Sequence, residues 1–214
     1  MLEQQDDAGA GFVGDWLDAA GLDWDVVRAE DPHPDPALPR AIISLGSSHS
    51  AYQSAPPWIP LQVELLRAAL AAQTPVLGIC FGAQSLALAA GGTVTREQQP
   101  EIGWVHPESE HPELRGPWLA WHSDAITLPP GAVELARSPA ALQAFRLGRS
   151  FGVQFHPEVT PEIWDAWAAE EPEAIRGHVG DHQALALEIA ERAGDLRTRL
   201  FALLDWWQRT VLNG

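Results

Sequence analysis

Pro75-Val76-Leu77-Gly78-Ile79-Cys80-Phe81-Gly82-Ala83-Gln84 is followed by Ser85-Leu86-Ala87-Leu88-Ala89-Ala90 and then Gly91-Gly92. A short apolar run opened by proline predicts a buried strand, and the helix formers closed by two glycines predict a helix. The single cysteine of the chain stands at the junction. Gly78-x-Cys80-x-Gly82 has the layout of a nucleophile elbow, in which small flanking residues permit a strained turn that lifts the nucleophile above the sheet. A helix N-terminus beside the sulfur favours the thiolate, the reactive form. A lone cysteine is ordinarily a small buried hydrophobe. Two glycines at ±2 on a strand-to-helix junction make Cys80 a candidate nucleophile instead.

Working outward, Ala41 to Leu45 reads as a buried strand running into the small-residue loop Gly46-Ser47-Ser48-His49-Ser50. A helix is expected from about Pro60 to Ala72 with Leu61, Leu65, Leu66 and Leu70 as its stripe. Gly11 to Ala20 predicts a helix with Phe12, Trp16 and Ala19 or Ala20 on one face, ended by Gly21. Trp24 to Ala29 reads as a strand, and Asp31 to Pro39, with four prolines, as loop. Strands alternating with helices through short connections predict an α/β fold, an open and mostly parallel sheet with helices on both faces. The strand expected before the first helix has only Leu2 to Gln5 in its place, short and polar. Either the start is truncated or the sheet has lost most of a strand.

After Gly92 the texture changes to short strands between Pro/Gly turns: 93–96, 102–106, 118–121, 132–137, 142–147 and 150–155. Hairpins are expected, notably around Leu147-Gly148-Arg149. Glu162 to Ala169 predicts a helix, and Asp181 to Val211 one long or two broken helices, with Gly194-Asp195 as the interruption. The division is a domain over 1–169 and a C-terminal helical extension over 170–214 packed on it, with Glu170 to Gly180 as linker.

The 214 residues suit one α/β domain with a helical tail, and 46% hydrophobic content supplies a sizeable core. No run approaches the ~20 apolar residues of a membrane span. The acidic, polar start reads as neither signal nor transit peptide. A formal charge of −16 argues against nucleic acid and anionic membrane as partners. The absence of lysine removes a Walker A loop and a lysine Schiff base. One cysteine allows no internal disulfide, and a free thiol points to the cytoplasm. Ten tryptophans suit a filled core and an aromatic-lined pocket or interface. No cofactor or metal is expected; His178 and His182 have a two-ligand helical spacing, but Gly180 lies between them and no third ligand is apparent.

A thiol nucleophile needs a base and a group to orient it. Three His-Pro-Glu tripeptides compete, at His106, His111 and His156. The first closes a short strand into an acidic loop (Glu108, Glu110, Glu113), which reads as solvated, and the second lies inside that loop. The third follows the apolar Phe151-Gly152-Val153-Gln154-Phe155. Strand C-termini of a parallel sheet share the ligand-binding edge, so His156 would meet Cys80 there, with Glu158 placed to hold the imidazole.

These residues carry a resemblance. The elbow, Trp121-His122-Ser123-Asp124 and Gly152-Val153-Gln154-Phe155-His156-Pro157-Glu158-Val159 resemble the class I (triad) glutamine amidotransferase family from about Gly11 through Trp167. Glu101-Ile102-Gly103-Trp104 is similar to stand-alone members related to the amidotransferase half of GMP synthase. The resemblance implies a flavodoxin-like sheet and a Cys80-His156-Glu158 triad. Cys80 would attack the side-chain amide of glutamine, a γ-glutamyl thioester would form with release of ammonia, and water would yield glutamate. It implies an oxyanion hole from main-chain N–H groups of Phe81 and of Gly46 and Ser47, where many members have a second glycine. If Ser47 needs φ > 0, serine costs about 1 kcal/mol there. It also implies a substrate pocket lined by Gln84, Trp121, His122 and Ser123, His122 being a pocket wall rather than a second base. Partners expected are a small-molecule substrate and a synthetase or acceptor subunit in trans. Two other readings stand beside this one: a γ-glutamyl peptidase or hydrolase using the same triad, and a catalytically silent regulatory or binding subunit.

Overall fold

Strands β3 (Ile42–Ser44) and β4 (Val76–Ile79) are buried at every residue, as strands covered on both faces must be. They pair in parallel, and the computed structural model, which describes residues 1–6, 9–170 and 181–212, builds a seven-stranded sheet around them. With β1 (Leu2–Glu3), β2 (Val27–Arg28), β7 (Val133–Arg137), β8 (Leu142–Leu147) and β9 (Ser150–Val153), the strand order is β2-β1-β3-β4-β9-β8-β7. The first five are parallel, and β8 and β7 continue the sheet antiparallel. The expected hairpin at Gly148 joins β8 to β9, with Gly148 at φ +56°.

The first strand is present, reduced to two residues. It lies between β2 and β3; Leu45 N–H donates to Leu2 O and Ala29 N–H to Glu3 O. Its polarity has a local reason. Gln4 and Gln62 are buried and joined through their amides at 3.0 Å, and Gln62 Nε2 donates to Ser44 Oγ at 2.7 Å. A buried amide is tolerated when it is hydrogen-bonded in this way.

Helix α1 (Gly11–Ala19) buries Phe12, Val13, Trp16 and Leu17; Ala19 and Ala20 are exposed, so the apolar face turns one residue from the one expected. In α2 (Trp58–Ala71) Leu61 is exposed and Ile59, Val63, Leu65 and Leu66 carry the buried stripe. Helix α3 (Phe81–Ala89) is buried along nearly its whole length. The two short strands expected at 93–96 and 102–106 are one strand, β5 (Val94–Val105), with an irregularity between Arg96 and Glu101. It pairs antiparallel with β6 (Trp118–Ile126) as a separate two-stranded ribbon.

Helix α4 (Pro161–Ala169) is capped by Thr160, whose Oγ1 accepts from Ile163 N–H, an arrangement worth about 1 kcal/mol. Helix α5 (His182–Trp207) starts at an Asp181 cap and runs unbroken through Gly194-Asp195, where an interruption was expected. A Cβ at Gly194 would meet nothing within 4 Å, so the glycine sits on an open face and costs the helix only about 1 kcal/mol against alanine. Leu196, Leu200, Leu203, Leu204 and Trp207 of α5 join Trp16 and Leu17 of α1 in one apolar cluster. Among the described residues no helix is long and apolar enough to cross a membrane. The expected linker lies almost wholly outside the described residues.

Candidate active site

Cys80 stands between β4 and α3 with φ +48° and ψ −105°, a conformation that costs a non-glycine residue about 1–3 kcal/mol. Its N–H donates to Val153 O at 2.8 Å, and Gly82 N–H donates to Leu45 O. Both flanking glycines are required by close approach. A Cβ at Gly78 would lie 2.5 Å from Gly82 O, and one at Gly82 would lie 2.1 Å from Ser44 O. The turn is held by packing that only glycine permits, and this fixes the sulfur at the C-terminal edge of the sheet.

Three residues past β9 the chain brings His156 to the same edge. Its N–H donates to Leu119 O at 2.7 Å, which ties it to β6. Its Nδ1 is 2.7 Å from Glu158 Oε1. Glu158 is fully buried; Gly11 and Phe12 cover its backbone, with Phe12 N–H donating to Glu158 O at 2.9 Å. A Cβ at Gly11 would fall 2.0 Å from that carbonyl oxygen. Burial alone would push the His156 imidazole down, but the Glu158 carboxylate and its interaction with Cys80 outweigh this and raise it well above the ordinary histidine value. Trp167 of α4 packs edge-on against the His156 ring, 4.7 Å between centroids.

The other two His-Pro-Glu tripeptides lie elsewhere. His106 is exposed, and His111 packs on Trp206. His178 lies outside the described residues, while His182 belongs to the aromatic group around Trp121 and Trp164.

A cavity of about 180 Å³ opens beside Cys80, walled by the Ser47–Ser50 loop, Gln84, Arg96 and Trp121–Asp124. Among the described residues nothing accepts from the N–H groups of Gly46, Ser47 or Phe81, whereas those of Leu45, Ser48, His49, Cys80 and Gly82 are all bonded. Ser47 does not have positive φ, so the strain that serine would have carried is absent. His122 is buried; its Nε2 is 3.0 Å from Glu101 Oε2 and its Nδ1 3.1 Å from Asp124 O. Desolvation pushes the Glu101 carboxyl up, but hydrogen bonds from His122 and Gln143 outweigh this and hold it below the usual range. His122 is therefore fully engaged in bracing the β5–β6 wall.

Two residues with no role in the sequence reading lie beside the cysteine or its cavity. Gln154, the residue after β9, has its Nε2 3.5 Å from Cys80 Sγ; the signal for it is a lone polar residue in the apolar run 151–155. Asp124 is buried, and its Oδ1 has no hydrogen-bond partner among the described residues, nor has Gln84 Oε1. The alternation of β6 puts Asp124 on the same face as His122.

The model of the class-I glutamine amidotransferase family matches residues 16–169. The chain belongs to that family. GMP synthase [glutamine-hydrolyzing] of Aeropyrum pernix is 35% identical over 161 residues, covering 61% of this chain and 30% of that protein. The family member described here thus spans less than a third of that relative's length. Gamma-glutamyl-L-1-hydroxyisopropylamide hydrolase of a Pseudomonas species is 34% identical over 188 residues, covering 76% of this chain and 62% of that protein. The crystal structure of a glutamine amidotransferase from Methylobacillus flagellatus superposes with a TM-score of 0.87 at 28% identity, over 98% of this chain and 93% of that one.

Proposed function

We propose that this amidotransferase is a cysteine amidase that cleaves a γ-glutamyl amide through a thioester on Cys80. The supporting observation is the union of a strained cysteine at the strand-to-helix turn with a buried His156 whose Nδ1 is 2.7 Å from Glu158. In the first half-reaction Sγ attacks the side-chain amide carbon. The S–C bond forms, the C–N bond breaks, and the His156 proton leaves on the departing amine. In the second, water attacks the thioester carbon and His156 takes its proton. The C–O bond forms, the C–S bond breaks, glutamate is released, and the Cys80 sulfur and protonated His156 are restored. Glu158 orients the imidazole and favours its cationic form. The unpaired N–H groups of Phe81 and of Gly46 and Ser47 supply the oxyanion hole, each donor contributing about 3 kcal/mol to the barrier reduction. Asp124 Oδ1 and Gln84 Oε1 take the substrate's α-ammonium, and Trp121, His122 and Ser123 shape the wall. The small cavity suits an amino-acid-sized substrate, which favours glutamine itself.

A second reading, hydrolysis of a γ-glutamyl alkylamide, is favoured by the relative named for that activity, which matches a larger share of this chain than the GMP synthase does. Under the first reading an acceptor subunit in trans uses the ammonia; under the second none is needed. The silent-subunit reading loses its motive, since β1 is in place. A free thiol nucleophile suits either activity to a reducing compartment such as the cytoplasm. Steady-state kinetics with L-glutamine, γ-glutamylisopropylamide and γ-glutamylglycine separate the readings. Saturation with glutamine alone supports the first, and a higher kcat/KM for the alkylamide supports the second. No turnover of any of the three contradicts both.

A further inference from the structure

One wall of the cavity is Ser47–Ser50, part of a loop over 46–50 that has no regular structure of its own. Such a loop holds preorganised donors only if something outside it fixes its position. One fixed point is Gly46, which packs against His156. The other comes from the end of the first strand. Gln5 Oε1 accepts from Ser47 Oγ–H at 2.9 Å and also from the Ser48 N–H. The Ser47 hydroxyl in turn accepts from the His49 N–H at 3.1 Å. The hydroxyl is used in both directions, and one amide oxygen gathers two donors from successive residues.

We propose that Gln5 is a positioning residue for the oxyanion hole, acting through the Ser47 hydroxyl and the Ser48 N–H; this rests on the amidase reading given above. Among the described residues Gln5 makes no hydrogen bond to Cys80 or His156, so its influence passes through the loop. The arrangement also gives Ser47 a purpose. A glycine there would leave Gln5 only the Ser48 N–H to hold, whereas serine adds a second hydrogen bond from the loop to the same amide oxygen. The short first strand has a matching role. Its ladder is two residues long, and of the two glutamines after it Gln4 bonds to Gln62 of helix α2 while Gln5 bonds to Ser47 of the active-site loop.

Because an oxyanion forms only in the transition state, a displaced hole lowers kcat and leaves KM nearly unchanged. The test compares wild type, Gln5→Leu, Ser47→Ala, Ser47→Thr and the Gln5→Leu/Ser47→Ala double variant in L-glutamine hydrolysis, with melting temperatures recorded alongside. Gln5→Leu keeps the side chain's bulk and removes the acceptor, and should lower kcat about 10- to 100-fold. Ser47→Ala should lower kcat in the same direction, Ser47→Thr should recover most of the loss, and the double variant should be no worse than Gln5→Leu, since the two residues act as one unit. Should Gln5→Leu fail to fold, the Ser47 pair decides alone: equal kcat for Ala and Thr overturns the proposal. It is also overturned if Gln5→Leu folds and keeps wild-type kcat, or if the loss falls on KM. Failure of the amidase reading is distinct, since it would appear as an inactive wild type.

Discussion

Gly46 packs so closely on His156 that a Cβ at Gly46 would lie 2.9 Å from His156 Cε1 and 3.9 Å from Cys80 Cβ. The backbone of one loop is thereby in contact with the imidazole, and the space left between them accommodates hydrogen alone. This close fit couples two parts of the proposed machinery, the base and the loop that carries main-chain donors.

Gly46→Ala should therefore impair chemistry more than folding. The added methyl must displace the ring or the loop by several tenths of an ångström, and a misplacement approaching 1 Å costs about 100-fold in rate. Ammonia release measured at saturating glutamine should fall by about that factor, while the melting temperature drops by only a few degrees.

The pH profile depends on Glu158. His156 is held protonated well above its ordinary range because Glu158 and Cys80 outweigh burial. The active form needs that proton for the leaving amine, so the rate falls on the alkaline side as pH rises through the raised value. Glu158→Gln removes one of the two supports for the cation. The alkaline limb of kcat should move to lower pH, and kcat should drop in the range between the two limbs. An unmoved alkaline limb would mean that Glu158 does not set the charge of His156.

Asp124 carries a testable trade-off. A buried carboxylate oxygen without a hydrogen-bond partner is costly to the folded state. If it binds the substrate's ammonium, Asp124→Asn should raise KM about 10- to 100-fold, the value of one charge-assisted hydrogen bond. The same substitution should leave the melting temperature equal or higher, since the stranded charge is gone. Loss of stability with unchanged KM would assign Asp124 to the fold instead.

Much of this arrangement is legible in the residues themselves. The elbow can be read because Gly78 and Gly82 are demanded by backbone contacts closer than any Cβ allows, so sequence and geometry are tied locally. His156 can be picked from three identical tripeptides because its strand is apolar and therefore buried at the sheet edge. The sheet order is less accessible. The allocation of β7 and β8 to the main sheet, and of β5 and β6 to a separate ribbon, depends on pairings between distant segments that no local pattern encodes. The two-residue β1 hides behind its polarity, since Gln4 is buried through a partner 58 residues away. Gly194 misleads for a related reason: a glycine on an open helix face weakens the helix only slightly, and packing of the surrounding leucines carries the helix through. Asp124 becomes visible only once the cavity around Cys80 exists.

The central claim is that Cys80 forms the covalent intermediate. Acid-quenched intact-mass spectrometry during turnover of L-glutamine tests it directly, with Cys80→Ala as the control. The account predicts an adduct of one γ-glutamyl group on wild-type protein, mapped to the peptide containing Cys80, and neither adduct nor ammonia from the alanine variant. Ammonia released by Cys80→Ala at the wild-type rate, or an adduct mapped to any other residue, would contradict it.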